Sequence, residues 1–200
     1  MRKKADRVKI ATPTDMRRAP RISRRGFLQW TAAGAASLAL PSLALADIRG
    51  RGDRARALSF LNTHTGEELD VVYRANGRYR RCALARIDHI LRDHRSGEVQ
   101  RIDTKLLDLL HSLGKTLDAG KPFHVISGYR SPKTNEMLRA GGRGVARRSM
   151  HMYGKAVDIR LPGCSLRTLR EAALEAKAGG VGYYPEAQFV HVDVGRVRFW

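Results

Sequence analysis

The sequence predicts an α+β domain in which helices pack against a mainly antiparallel sheet. Three observations lead there. Residues 155–161 and 188–194 alternate side chains with the period of two that marks strands. Other stretches carry leucines and isoleucines at helical spacing, opened by capping residues and stopped by glycines. Once an N-terminal export segment is set aside, 154 residues remain, enough for one domain with a proper core.

The elements follow in order. Residues 47–56 are charged and contain glycine, and read as a flexible linker before a domain spanning 57–200. Residues 57–63 and 68–74 read as two strands of a hairpin turned at Thr65-Gly66. A helix is expected over 83–95, with Ile87, Ile90 and Leu91 on one face and Gly97 as its stop. Asp103 can cap a second helix in which Leu106, Leu107, Leu110, Leu113 and Leu117 keep a helical period up to about Gly120. A strand at 123–127 follows Pro122, and Ser131-Pro132 opens a short helix to about Ala140. Residues 141–148, with three glycines and three arginines, read as a mobile loop. Ser165 caps a last helix with Leu166, Leu169, Ala173 and Ala176 facing inward, ended by Gly179-Gly180. Strands at 188–194 and 196–200 close the sheet, and no internal repeat is present.

The first 46 residues read as a targeting segment rather than part of the fold. Ser23-Arg-Arg-Gly-Phe-Leu28 is a twin-arginine signal, followed by an apolar stretch and a small-x-small cleavage site at Ala44-Leu45-Ala46. Gly34, Ser37, Pro41 and Ser42 interrupt that stretch, which falls short of the ~20 apolar residues of a membrane span, so no transmembrane segment is expected after cleavage. The signal takes ten Lys/Arg and two Asp/Glu with it, so the formal charge falls from +19 to +11. Export and the scattering of the remaining arginines exclude nucleic acid as partner. A basic surface suits an anionic polymer such as peptidoglycan, or is simply solvated. Cys82 and Cys164 can form a disulfide in an oxidising periplasm or remain thiols. A monomer is expected.

The chemistry is concentrated in Ser149-Met-His-Met-Tyr-Gly-Lys-Ala-Val-Asp158 and His191-Val-Asp193. A turn through Gly154 can fold His151 back over the strand face that carries Asp158. His191 and Asp193 share one face of the 188–194 strand. If the two strands are neighbours, His151, Asp158 and His191 converge with one coordination position open, a donor set that suits catalytic Zn2+, with a hydrogen-bonded polar core as the other reading. A carboxylate within a strand supports this, because Asp is disfavoured there and needs a partner when buried. The other histidines read as surface or hydrogen-bonded residues.

Ser149-x-His151-x-x-Gly154-x-Ala156-x-Asp158 resembles the signature of the zinc D-Ala-D-Ala peptidases, relatives of lysostaphin-type enzymes and of the Hedgehog domain. A longer resemblance is to the YcbK-like (MepK-like) branch of periplasmic murein endopeptidases. It is carried by Asn62-Thr-His-Thr-Gly-Glu67, Leu91-Arg-Asp-His-Arg-Ser-Gly-Glu98, Val125-Ile-Ser-Gly-Tyr-Arg-Ser-Pro132, Gly179-Gly-Val-Gly-Tyr-Tyr-Pro185 and the ending Phe189-Val-His-Val-Asp-Val-Gly-Arg-Val-Arg-Phe-Trp200. The resemblance implies an α+β zinc peptidase that cleaves peptide cross-links of peptidoglycan, with His151, Asp158 and His191 as ligands. For that branch it also implies links between two diaminopimelate residues. D-Ala–diaminopimelate links and stem trimming are the other choices within the class.

Amide hydrolysis also needs a base for the water proton. Relatives often carry an acid three positions before the last histidine, where this chain has Gln188. Asp193 is the better candidate for base, with orientation of a ligand histidine as its rival role; Glu186 is more distant. Arg130 matches an arginine thought to stabilise the oxyanion or hold a substrate carboxylate, and an ion pair with a neighbouring acid is the other reading. Gln188 keeps open a non-catalytic, zinc-containing peptidoglycan-binding module, and the charge keeps open an accessory envelope protein that binds anionic polymer. Replacing both Arg24 and Arg25 by lysine should leave uncleaved precursor in the cytoplasm, since a receptor reads the pair and not its charge. Cell fractionation checks this, and unchanged periplasmic accumulation would mean a different export route.

Overall fold

The computed structural model describes residues 55–142 and 144–200. The expected signal peptide and residues 47–54 of the expected linker lie outside the described residues. Strand β1, Arg56–Asn62, pairs antiparallel with β2, Glu68–Ala75, placing Leu58 opposite Val71 and Phe60 opposite Leu69. Asn76 and Gly77, both at positive φ, then turn the chain into the two-residue strand β3, Arg78–Tyr79. Asn-Gly is the residue pair that a tight hairpin turn of this hand favours, although the strand after it was not anticipated.

Helix α1, Arg81–Ile90, starts two residues before the expected 83 and stops five before the expected 95. Tertiary bonds claim the missing turn. The Leu91 carbonyl accepts from the Tyr129 amide, and the Asp93 carboxylate accepts from the amides of Arg95 and Ser131. Helix α2, Thr104–Thr116, begins as expected with the Asp103 side chain accepting from the Lys105 amide, and buries Leu106, Leu107, Leu109, Leu110 and Leu113. Full burial of each such side chain is worth about 1.5–3 kcal/mol. Strand β4, Phe123–Ser127, and helix α3, Pro132–Ala140, match their expected bounds, and Ser131 caps the helix by accepting from the Thr134 amide.

A 3₁₀ turn, Met150–Tyr153, precedes β5, Ala156–Arg160. Gly154 joins them at φ 63°, where a Cβ would lie 2.2 Å from the Arg101 carbonyl oxygen. Helix α4, Leu166–Glu175, is capped by Ser165 and buries Leu169, Ala172 and Ala173; Ala176, expected inward, follows its end and is exposed. Strand β6, Gly180–Tyr184, begins at a glycine read as a helix stop and was not anticipated; it is followed by β7, Phe189–Asp193, and β8, Arg198–Phe199.

The strands form one sheet in the order β3-β2-β1-β4-β5-β7-β6-β8. It is mixed but mostly antiparallel: β1–β4 and β6–β8 are its parallel pairs. Phe60, Phe123, Val125, Val157, Ile159, Val190 and Val192 join the leucines of α2 and α4 in one apolar core. The alternate residues of β5 and β7 face the other way, and they too are buried, since Ala156, Asp158, His191 and Asp193 are all covered. The half-buried strand expected at β5 is therefore buried on both faces. Cys82 and Cys164 are free thiols.

Asp93, 1% exposed, fixes the loop after α1 to the start of α3. Burial alone would raise its pKa, but hydrogen bonds from Thr134, Ser131 and Arg95 hold it well below the usual carboxylate range. A carboxyl depressed by folding stabilises above its unfolded pKa of about 3.9, and that contribution fades as pH falls through the folded value. Asp93→Asn should cost about 1–3 kcal/mol at pH 7, with the difference from wild type shrinking below about pH 4. Denaturant unfolding at several pH values measures both.

Candidate active site

The antiparallel pairing of β5 with β7 sets Asp158 directly opposite His191. The 3₁₀ turn folds His151 over the same face. His191 Nδ1 is 2.8 Å from Asp158 Oδ1, His151 Nε2 is 3.2 Å from that oxygen, and the two nitrogens are 3.2 Å apart. Each ring has its other nitrogen occupied. His151 Nδ1–H donates to the Gly128 carbonyl at 2.7 Å, and His191 Nε2–H donates to Asp193 Oδ2 at 3.1 Å. Those two bonds set the tautomers, so the nitrogens facing Asp158 both present lone pairs. Three acceptors this close repel one another unless a cation or a proton lies among them.

The donors suit a metal on that ground and by size. Ligands about 2.0–2.1 Å from a tetrahedral zinc stand roughly 3.3 Å apart, close to the separations here. Among the described residues this is the one group of three or more His, Cys, Asp or Glu side chains close enough to share an ion. The charges agree: burial would raise the Asp158 pKa, but His151 and His191 hold it well below the carboxylate range. Burial would lower the His191 pKa, but Asp158 and Asp193 raise it, so a proton competes with a metal for its Nδ1.

The supports are built into the backbone. Gly128 approaches the loop after α1 so closely that a Cβ would lie 2.3 Å from the Leu91 carbonyl oxygen. The Arg130 amide donates to the His151 carbonyl at 3.3 Å, fixing the 3₁₀ turn from the same segment. The Arg130 guanidinium reaches Ser127 Oγ at 3.4 Å and lies 3.6 Å from Asp158 Oδ2, while its buried Nε has no partner.

A cleft of about 360 Å³ opens over the donors, bordered by Arg130, Ala146, Arg148, Tyr184, Phe189 and Trp200. The expected loop 141–148 thus contributes to its rim, and Ser149 lines it as well. Tyr184 stacks on Phe189 and accepts a 2.7 Å hydrogen bond from Trp200 Nε1. His151, Asp158, His191 and Arg130 come together as the sequence suggested. Asp193 is near them but behind His191, on the ring edge away from the cleft. Gln188 and Glu186 are exposed in the turn between β6 and β7, and neither borders the cleft. Sequence reasoning missed Gly128, Arg198 and Trp200. Only the run ending at Trp200, which carried the family resemblance, hinted at the last two.

Imidazole and carboxylate donors open to a cleft, with a guanidinium beside them, suit the hydrolysis of an amide. Comparison makes the class specific. Residues 51–200 match the family described as peptidoglycan L,D-endopeptidase MepK, and the chain belongs to that family. It is 43% identical over 169 residues to peptidoglycan L,D-endopeptidase MepK of Escherichia coli strain K12, covering 84% of this chain and 91% of the relative. It is 36% identical over 176 residues to a probable peptidoglycan L,D-endopeptidase MepK of Haemophilus influenzae, covering 86% and 94%. Residues 21–41 match the twin-arginine translocation signal. The protein is a peptidoglycan endopeptidase exported to the periplasm by the twin-arginine pathway. No helix among the described residues is long and apolar enough to cross a membrane.

Proposed function

We propose that the enzyme uses zinc, held by His151, Asp158 and His191, to hydrolyse L,D amide cross-links between peptidoglycan stems, the bond joining two diaminopimelate residues. The observation that carries the metal assignment is the meeting of three lone-pair donors whose other polar atoms are already committed. The bond class is the one for which the L,D-endopeptidase relatives are named. Zinc, when bound, supplies Lewis acidity toward water and the scissile carbonyl.

The chain's own residues do the rest. Arg130 borders the cleft and places a fixed positive charge beside the donors, where it can face the negative charge that develops on the carbonyl oxygen. Tyr184 accepts from Trp200, so its own O–H remains available to substrate in the cleft. Tyr184, Phe189 and Trp200 give the stem an apolar wall. In this reading Asp193 orients His191 rather than serving as base, because His191 stands between it and the cleft.

Incubation of the mature enzyme with muropeptide dimers, with and without a chelator, tests the whole reading by mass spectrometry. Chelator-sensitive conversion of diaminopimelate–diaminopimelate dimers to monomers is expected; conversion untouched by chelation would remove the metal, and other product masses would change the bond. His151→Ala, Asp158→Ala and His191→Ala should each lose stoichiometric zinc, and full retention in any one would remove that residue from the ligand set. Arg130→Ala should keep zinc and lower kcat by about 10²–10³, whereas Gln188→Ala should stay within a few-fold of wild type.

A further inference from the structure

We infer that Arg198 is a positioning residue of the metal centre, fixing His191 through Asp193. The inference rests on the reading of His191 as a ligand. Asp193 is fully buried, and a buried carboxylate is tolerated only when paired and hydrogen-bonded. Its Oδ1 accepts from the amides of Gly180 at 2.9 Å and Gly195 at 2.8 Å. Its Oδ2 accepts from His191 Nε2, and Arg198 grips both oxygens, Nη1 to Oδ1 at 3.2 Å and Nη2 to Oδ2 at 2.7 Å.

The backbone amides hold one oxygen in place. The oxygen that orients the imidazole has Arg198 as its other partner, so the two-pronged guanidinium fixes the plane of the carboxylate and with it the direction of the histidine N–H. Arg198 is itself braced: Nη1 also donates to the Arg196 carbonyl at 2.9 Å, and its guanidinium lies over the Trp200 ring at 5.1 Å. Trp200 completes the circuit, its ring 5.3 Å from that of His191.

Strand β6 makes room for this brace by lacking side chains where it passes. A Cβ on Gly180 would lie 2.5 Å from both Asp193 Oδ2 and Arg198 Nη1, and one on Gly182 would lie 2.7 Å from the Trp200 ring. Arg198 and Trp200 therefore lie across β6 and reach β7, Arg198 at Asp193 and Trp200 beside His191.

The test is zinc affinity of the purified mature chain, read by competition with a chromophoric chelator. Arg198→Ala should weaken zinc by about 10–100-fold, with excess zinc restoring hydrolysis. Arg198→Lys, a point charge unable to grip both oxygens, should fall between that variant and wild type. If Arg198 acts through Asp193, the double variant Asp193→Asn/Arg198→Ala should bind zinc no more weakly than Asp193→Asn alone. Thermal unfolding of the zinc-free proteins separates a general packing defect from a local one, and Arg198→Lys guards against a failure of the alanine variant to fold. Wild-type zinc affinity in folded Arg198→Ala, or losses that simply add in the double variant, would overturn the brace. A wild-type chain that takes up no zinc would instead overturn the ligand assignment beneath it.

Discussion

The site depends on the register in which β5 meets β7. Asp158 and His191 are direct partners across that ladder, and side chains alternate faces with a period of two, so a slip of one residue would turn either of them into the apolar core. The register is held by the other face. Val157 and Ile159 of β5 and Val190 and Val192 of β7 are fully buried against the helices. Hydrophobic burial on one side of the sheet thus sets the position of two polar side chains on the other. His151 comes from a turn rather than a strand, and its placement needs the separate fixings from Gly128 and Arg130.

Those fixings explain why the chain departs from regular structure where it does. The turn after α1 bends away from the helical course because Leu91 and Asp93 bond to Tyr129 and Ser131, on either side of Arg130. The last turn of one helix is exchanged for a rigid frame around the segment that holds His151 and carries the cleft arginine. Gly128 and Gly154 serve the same frame, since each lies where a backbone carbonyl leaves no space for a side chain.

Much of this was legible in the sequence. The alternation in 155–161 and 188–194 put Asp158, His191 and Asp193 on shared faces, and the caps at Asp103, Ser131 and Ser165 marked three helix starts. What could not be read arises from contacts distant in sequence. Gly180 looks like part of a helix stop and Gly182 carries no structural mark, because the crowding by Asp193, Arg198 and Trp200 that requires them appears only when β7 and β8 fold against β6. The same limit applied to Asp193. Period-two reasoning places it on the face of His191 but does not say which edge of the imidazole it meets, and that edge separates an orienting carboxylate from one facing the cleft. Arg198 carried no local mark among so many arginines.

Asp158 divides its two oxygens between different tasks: Oδ1 meets the histidines, and Oδ2 lies beside Arg130. A group that draws the guanidinium away from Oδ2 leaves the carboxylate more electron-rich, and Oδ1 becomes a stronger donor. Thermodynamic linkage makes the effect mutual and of equal size in both directions. Occupancy of the donor triad and engagement of the arginine are two readings of one carboxylate, so affinity at either partner carries information about the other.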